Sequence, residues 1–102
     1  MASVTDPVAA LRSLFVERCR ADLAGLRRLR ERGDVAGVGA IAHRLAGAAG
    51  SFGFPEIGAA ALVVDEQIRH GAEVSAADIE RLFELLAGLG GSEEPGTPPP
   101  RG

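Results

Sequence analysis

The sequence predicts an all-α protein that folds as an antiparallel, up-and-down four-helix bundle. Apolar residues recur three and four positions apart in four successive segments, which is the spacing of one face of an α-helix. No segment alternates apolar and polar residues with a period of two, so strands are not expected. Short connections between the segments place consecutive helices side by side in opposite directions. We therefore expect helices over residues 7–32, 34–52, 55–70 and 76–89.

Capping residues mark the boundaries of the first two helices. Asp6 before Pro7 combines an N-cap with a first-turn proline, and both favour a helix start. Gly33 ends this helix, and Asp34 caps the next one. The first apolar stripe consists of Leu11, Phe15, Cys19, Leu23, Leu26 and Leu29. The second consists of Val38, Ile41, Leu45, Ala49 and Phe52.

The last two helices carry comparable signals. Pro55 opens the third helix and Gly71 ends it. Ser75, with Asp78 three residues later, resembles a capping box that starts the fourth. The third apolar stripe consists of Ile57, Ala61, Val64 and Ile68, and the fourth of Ile79, Leu82, Phe83 and Leu86.

Length and composition indicate one small globular domain. The chain has 102 residues, of which 46% are hydrophobic and 25% charged, as in ordinary folded domains. After Gly90 the sequence becomes polar and rich in proline and glycine. We therefore expect a helical domain over residues 1–90 and a flexible tail or linker over residues 91–102.

Charge and cysteine content argue against several classes of function. A net charge of −3 argues against a nucleic-acid-binding protein, which would normally be basic. The single cysteine, Cys19, excludes an intrachain disulfide, and its place in an apolar stripe favours an inert, buried thiol. No apolar run approaches the roughly 18 residues of a membrane span, and no signal peptide is recognisable. We expect a cytoplasmic monomer with no metal site, no cofactor and no membrane contact.

His43 lies on the outer face of the second predicted helix. At about 100° per residue, it falls roughly 180° from the centre of that helix's apolar stripe. Its neighbours on this face are all small: Ala36, Gly39, Ala40, Ala46, Gly47 and Gly50. An exposed glycine costs a helix roughly 1 kcal/mol relative to alanine, so these glycines call for a further reason.

Two interpretations of this small-residue face are open from the residues alone. In one, the face packs closely against another helix, and His43 is half-buried and hydrogen-bonded. In the other, the bare backbone lets a partner protein approach an exposed imidazole. A largely neutral imidazole has a ring-nitrogen lone pair that can attack phosphorus, and phosphoryl transfer depends mainly on positioning and charge stabilisation.

The residues that follow His43 match a known signature at fixed offsets. The matching positions are His43, Leu45, Gly47, Ala48, Ala49, Gly53 and Ile57. They resemble the pattern H-x-L-K-G-S/A-S/A-x-x-x-G, with an aliphatic residue four positions later, of histidine-containing phosphotransfer (HPt) domains. The similarity extends over most of residues 8–89, including ERGDVAGVGAIAH up to the histidine and VVDEQIRHG at the end of the third helix.

The resemblance implies a phosphocarrier rather than a self-sufficient enzyme. His43 would accept a phosphoryl group from an aspartyl phosphate on a receiver domain and donate it to another. The implied partners are a response-regulator receiver domain, a hybrid histidine kinase, or both, and the receiver would supply magnesium and most catalytic groups. The partner surface would comprise Ala36, Gly39, Ala40, Gly47 and Gly50.

One position departs from the family pattern. The family lysine, expected beside the phosphoryl group, is replaced here by Ala46. Arg44 and Arg69 are the candidates to lie near the phosphoryl group in its place, and Arg69 is preferred because Arg44 lies about 100° around the helix from His43. The alternative for each is an ordinary solvated arginine. The missing lysine leaves an alternative open, a degenerate HPt-like adaptor that binds a receiver or kinase without carrying phosphate.

Three other polar residues receive structural interpretations. His70 precedes Gly71 at a helix C-terminus, where the helix dipole favours an imidazole. Asp65 and Glu66 are expected to be surface acids, which could help to shape a docking surface.

Overall fold

The computed structural model describes residues 7–92, with side chains described as far as residue 89. Its elements are α1 (Pro7–Arg32), α2 (Val35–Ala48), a 3₁₀ segment (Ala49–Phe52), α3 (Pro55–Arg69) and α4 (Ala76–Ser92). Each helix packs on its neighbours in sequence, and α1 also packs on α4, which closes the ring. Residues 7–92 contain no strand. The predicted all-α four-helix bundle is confirmed.

Glycine and aspartate set the two ends of the second helical segment. The Asp34 side chain accepts a hydrogen bond from the backbone N–H of Gly37 at 2.9 Å and so caps α2. The segment ends at Gly53, whose φ of 90° lies in the left-handed region that glycine adopts without strain. The predicted helix over residues 34–52 was therefore nearly right in extent, but its last turn is 3₁₀ rather than α.

Only one of the two hydrogen bonds of the capping box predicted at the start of α4 forms. The Ser75 hydroxyl accepts a hydrogen bond from the backbone N–H of Asp78 at 3.4 Å. The side chain of Gln67, on α3, takes the place of the second hydrogen bond. Its Oε1 accepts a hydrogen bond from the backbone N–H of Ser75 at 2.9 Å, and its Nε2 donates to the Asp78 carboxylate at 2.7 Å. Gln67 therefore ties α3 to the beginning of α4.

Some predicted boundaries differ from the structure or lie outside it. The fourth helix continues to Ser92, past its predicted end at residue 89 and past the domain boundary predicted at residue 90. Asp6 and residues 93–102 of the predicted tail lie outside the described residues. No helix in the described part is long and apolar enough to cross a membrane.

The core runs along the bundle axis and contains most of the predicted stripe residues. Its fully buried large side chains are Leu26, Leu45, Leu82, Leu86, Val64 and Cys19. Leu11, predicted to be in the α1 stripe, is instead exposed. The next residue, Arg12, donates from Nε to the carbonyl of Phe52 at 3.1 Å, which places Leu11 at the level where the 3₁₀ segment ends. Leu11 therefore lies at the end of the bundle, beyond most of the core.

Cys19 is buried, as predicted. Burial, with a smaller contribution from the nearby Asp22 carboxylate, raises the pKa of its thiol to about 11. The thiolate is the reactive form of cysteine, so this environment favours the inert thiol.

A buried ion pair joins α1 to α2. The Asp22 side chain is only 7% exposed, and its carboxylate accepts hydrogen bonds from Arg44 Nη1 at 3.0 Å and Nη2 at 2.9 Å. The Nε atom of Arg18 lies 3.8 Å from the same carboxylate. The hydrogen bond to Asp22 raises the pKa of Arg44. The two donors of Arg44 offset the cost of burying this charge.

We expect Arg44→Gln to destabilise the fold, because it leaves the Asp22 carboxylate buried without its two strongest donors. The free energy of unfolding should fall by about 2 kcal/mol, the usual size for losing hydrogen bonds to a buried charge. Arg28→Gln, at an exposed position of α1, makes the same charge change and should alter it by less than about 0.5 kcal/mol. Urea unfolding of both variants measures this. Equal unfolding free energies for the two variants would contradict a stabilising role for the Arg44–Asp22 ion pair.

Candidate functional site

Helices α2 and α3 approach each other closely because small residues line their contact. A Cβ atom added to Gly39 would lie 3.2 Å from Cγ2 of Ile68, on α3. A Cβ atom added to Gly58 of α3 would lie 3.6 Å from both the Cβ of Ala49 and the backbone nitrogen of Gly50. This close packing brings side chains of α3 within reach of the outer face of α2.

The small-residue face of α2 is therefore divided between packing and solvent. The prediction that Gly39 faces outward was wrong, because α3 covers it and buries it against Ile68. Ala46 is half-buried and packs against the core. The remaining predicted positions are exposed: Ala36, Ala40, Gly47 and Gly50. A Cβ atom added to Gly47 or Gly50 would meet no atom within 4 Å, so the surface is open there.

His43 is exposed on this face and held by one buried partner. Its side chain is 72% exposed, and its Nδ1 lies 3.2 Å from Oδ2 of Asp65, on α3. The Asp65 side chain is only 6% exposed. A carboxylate accepts hydrogen bonds, so a neutral imidazole must donate from Nδ1, and its lone pair then lies on Nε2. The imidazole is thus exposed, oriented and in the tautomer whose Nε2 can act as a nucleophile.

From the sequence, Asp65 was expected to be a surface acid, and its contact with His43 was not predicted. It is instead buried. The available signal was its position, because Asp65 lies four residues after Ala61 and three before Ile68, within the apolar stripe of α3. An acid in such a stripe must find a partner when the helix packs. The sequence alone did not show that this partner is His43.

Arg44 and Arg69, the two arginines predicted to lie near His43, contact different residues. The guanidinium of Arg44 is bonded to Asp22 on α1, so its placement does not support a role beside the imidazole. Arg69 lies on α3, and its Nε is 3.8 Å from Oδ2 of Asp65, the same oxygen that faces His43. The structure therefore brings Arg69, and not Arg44, into a cluster with His43 and Asp65.

Comparison with models of protein families gives one match for this chain. The Hpt domain model matches residues 10–92. The chain belongs to the Hpt domain family. Comparisons with curated proteins and with solved structures found no match. Hpt domains are helical bundles that act in phosphorelays as histidine phosphocarriers, and the predicted family is confirmed.

Two other features of this Hpt domain bear on its chemistry. His70 is exposed at the C-cap of α3, where its backbone N–H bonds the carbonyl of Glu66, so its position is that of a helix end. Within residues 7–92, no three histidine, cysteine or acidic side chains are grouped so that they could hold a metal ion.

We expect Gly47→Ala to stabilise this Hpt domain, because alanine favours the helix and its methyl group would enter open space. The gain in unfolding free energy should reach up to about 1 kcal/mol. Gly39→Ala is the matched control, since its methyl group would lie 3.2 Å from Ile68. It should gain less than Gly47→Ala, or lose stability. Thermal and urea unfolding measure both variants. A smaller gain in stability at Gly47 than at Gly39 would contradict the finding that Gly47 borders open space while Gly39 packs against α3.

Proposed function

We propose that His43 accepts a phosphoryl group from the aspartyl phosphate of a receiver domain and donates it to another, within a two-component phosphorelay. The observation that supports this most strongly is the exposed imidazole whose Nδ1 is held by the buried Asp65. The receiver is a response regulator or part of a hybrid histidine kinase.

The transfer forms one bond and breaks one. The lone pair on His43 Nε2 attacks phosphorus, and the bond between phosphorus and the receiver's aspartate oxygen breaks as that carboxylate leaves. The proton on Nδ1 stays in place, so the phosphorylated ring carries a positive charge that the Asp65 carboxylate offsets. Donation to a second receiver is the same reaction in reverse.

The exposed small residues beside His43 suit close approach by a receiver. Reacting atoms must come within about 3–3.5 Å, and a displacement of about 1 Å can cost on the order of a hundredfold in rate. Gly47 and Gly50 leave open space at the surface of α2. We propose that the receiver brings the magnesium ion and most of the charge stabilisation, on which phosphoryl transfer mainly depends.

The replacement of the family lysine by Ala46 favours a second candidate function. In that alternative the domain binds a receiver or a kinase but carries no phosphate. Incubation with a phosphorylated receiver distinguishes the two functions, because only a carrier acquires phosphate that is acid-labile and alkali-stable.

We expect His43→Gln to abolish labelling by a phosphorylated receiver, because glutamine has no ring nitrogen to attack phosphorus. The domain should stay folded but lose about 1 kcal/mol of unfolding free energy, because the buried Asp65 carboxylate loses its hydrogen bond from the imidazole. His70→Gln is the control and should be labelled like the wild type. Transfer of ³²P with melting curves measures both properties, and persistent labelling of His43→Gln would place the acceptor elsewhere.

We expect Asp65→Asn to slow the transfer by about ten- to a hundredfold, the loss seen when the partner that orients a metal-bound histidine is changed. The amide removes the charge beside Nδ1 and can present an N–H to it, which favours the wrong tautomer. Glu66→Gln, one residue away and exposed, is the matched control. Besides the rate, ¹⁵N NMR of the His43 ring reports the tautomer, and an unchanged tautomer with an unchanged rate would exclude this positioning role.

A further inference from the structure

This inference rests on the proposed phosphorylation of His43. Phosphorylation would place uncompensated negative charge at the surface of α2. A phosphoryl group adds nearly two negative charges near neutral pH. On Nε2 it would stand beside a face of small, uncharged residues, across the ring from the Asp65 carboxylate, which lies 3.2 Å from Nδ1. The Asp65 carboxylate can offset the positive ring, but nothing on this face of small residues offsets the negative phosphoryl group. A cation within reach would favour the phosphorylated state.

Helix α2 itself offers no free cation at this point. Three residues after His43, on the adjoining part of the helix surface, stands the uncharged Ala46. Arg44 is directed toward α1, where both terminal nitrogens bind Asp22 at 3.0 and 2.9 Å. Removing Arg44 from that pair would leave the buried Asp22 carboxylate without its two hydrogen bonds and with only the longer contact to Arg18, which is costly.

We propose that Arg69, on α3, supplies the positive charge that stabilises the phosphoryl group on His43. Its Nε lies 3.8 Å from Asp65 Oδ2, which is an ion pair longer than a hydrogen bond. Its side chain is 56% exposed, and its guanidinium makes no hydrogen bond within residues 7–92. The group is thus held near the imidazole but keeps its donors available.

The same arginine can serve both states of the domain. Before phosphorylation, the guanidinium pairs loosely with Asp65. After phosphorylation, the guanidinium can direct its positive charge and its available donors toward the phosphoryl oxygens. Asp65 meanwhile keeps its hydrogen bond to the Nδ1 proton of His43. Arg69 therefore pairs with the Asp65 carboxylate before phosphorylation and with the phosphoryl group on His43 afterwards.

A small phosphodonor tests this without any receiver. With phosphoramidate, the phosphorus–nitrogen bond breaks, ammonia leaves, and the phosphoryl group is transferred to His43 Nε2. ³¹P NMR follows the rate of phosphohistidine formation and its lifetime. We expect Arg69→Gln to slow formation by about tenfold, as for the loss of one charge-assisted contact. Arg28→Gln, with the same charge change at an exposed position of α1, should match the wild type.

Two rescue variants distinguish a charge at the phosphoryl group from an effect through Asp65. Arg69→Lys keeps the charge and should recover most of the rate. Ala46→Lys, added to Arg69→Gln, places a cation on α2 beside the same imidazole and should recover it as well. Failure of both rescues would overturn the proposal, because Arg69 would then act only by holding Asp65.

The remaining outcomes separate this inference from the proposed function. If wild type and Arg69→Gln are labelled equally while His43→Gln is not labelled, the role of Arg69 is wrong and His43 remains the acceptor. If the folded wild-type domain is not labelled by phosphoramidate or by a phosphorylated receiver, both the carrier function and the role of Arg69 are overturned.

Discussion

The hydrogen bond between His43 and the buried carboxylate of Asp65 is the interaction on which the orientation of the exposed imidazole depends. It joins an exposed ring on α2 to a side chain inside the contact with α3, at 3.2 Å. A free surface histidine would sample several rotamers and both tautomers. Here the hydrogen bond selects one neutral tautomer, and Nε2 is left as the ring nitrogen that carries a lone pair. The bond exists because α2 and α3 approach closely, and that approach requires small residues such as Gly39 and Gly58.

A second buried acid sets the rotation of α2 from the other side. His43 and Arg44 are consecutive, so they point about 100° apart around the helix. His43 meets Asp65 on α3, and Arg44 meets Asp22 on α1. Because each acid is buried and needs its partner, a rotation of α2 that broke either contact would leave a buried charge uncompensated. These two polar contacts therefore define the orientation of α2, and with it the direction of the imidazole, more narrowly than apolar packing would.

The glycines of this region serve three different physical purposes. Gly53 adopts a positive φ that ends the 3₁₀ segment. Gly39 allows close packing on Ile68, and Gly47 borders open space. Only the last of these fits a surface kept clear for a partner. The cost of glycine in a helix is thus explained partly by folding and partly by the approach that the proposed transfer needs.

The sequence by itself determined the four helices, the family and the position of His43 on an outer face. These follow from periodicity, caps and fixed offsets, which are local properties of the chain. Only the tertiary structure decided which side chains meet. It buried Gly39, exposed Leu11 and turned Arg44 toward Asp22. It also placed Asp65 beside His43, and Arg69 beside Asp65. Such contacts depend on how each helix is rotated and how closely its neighbour approaches, and both are set by packing between residues far apart in sequence.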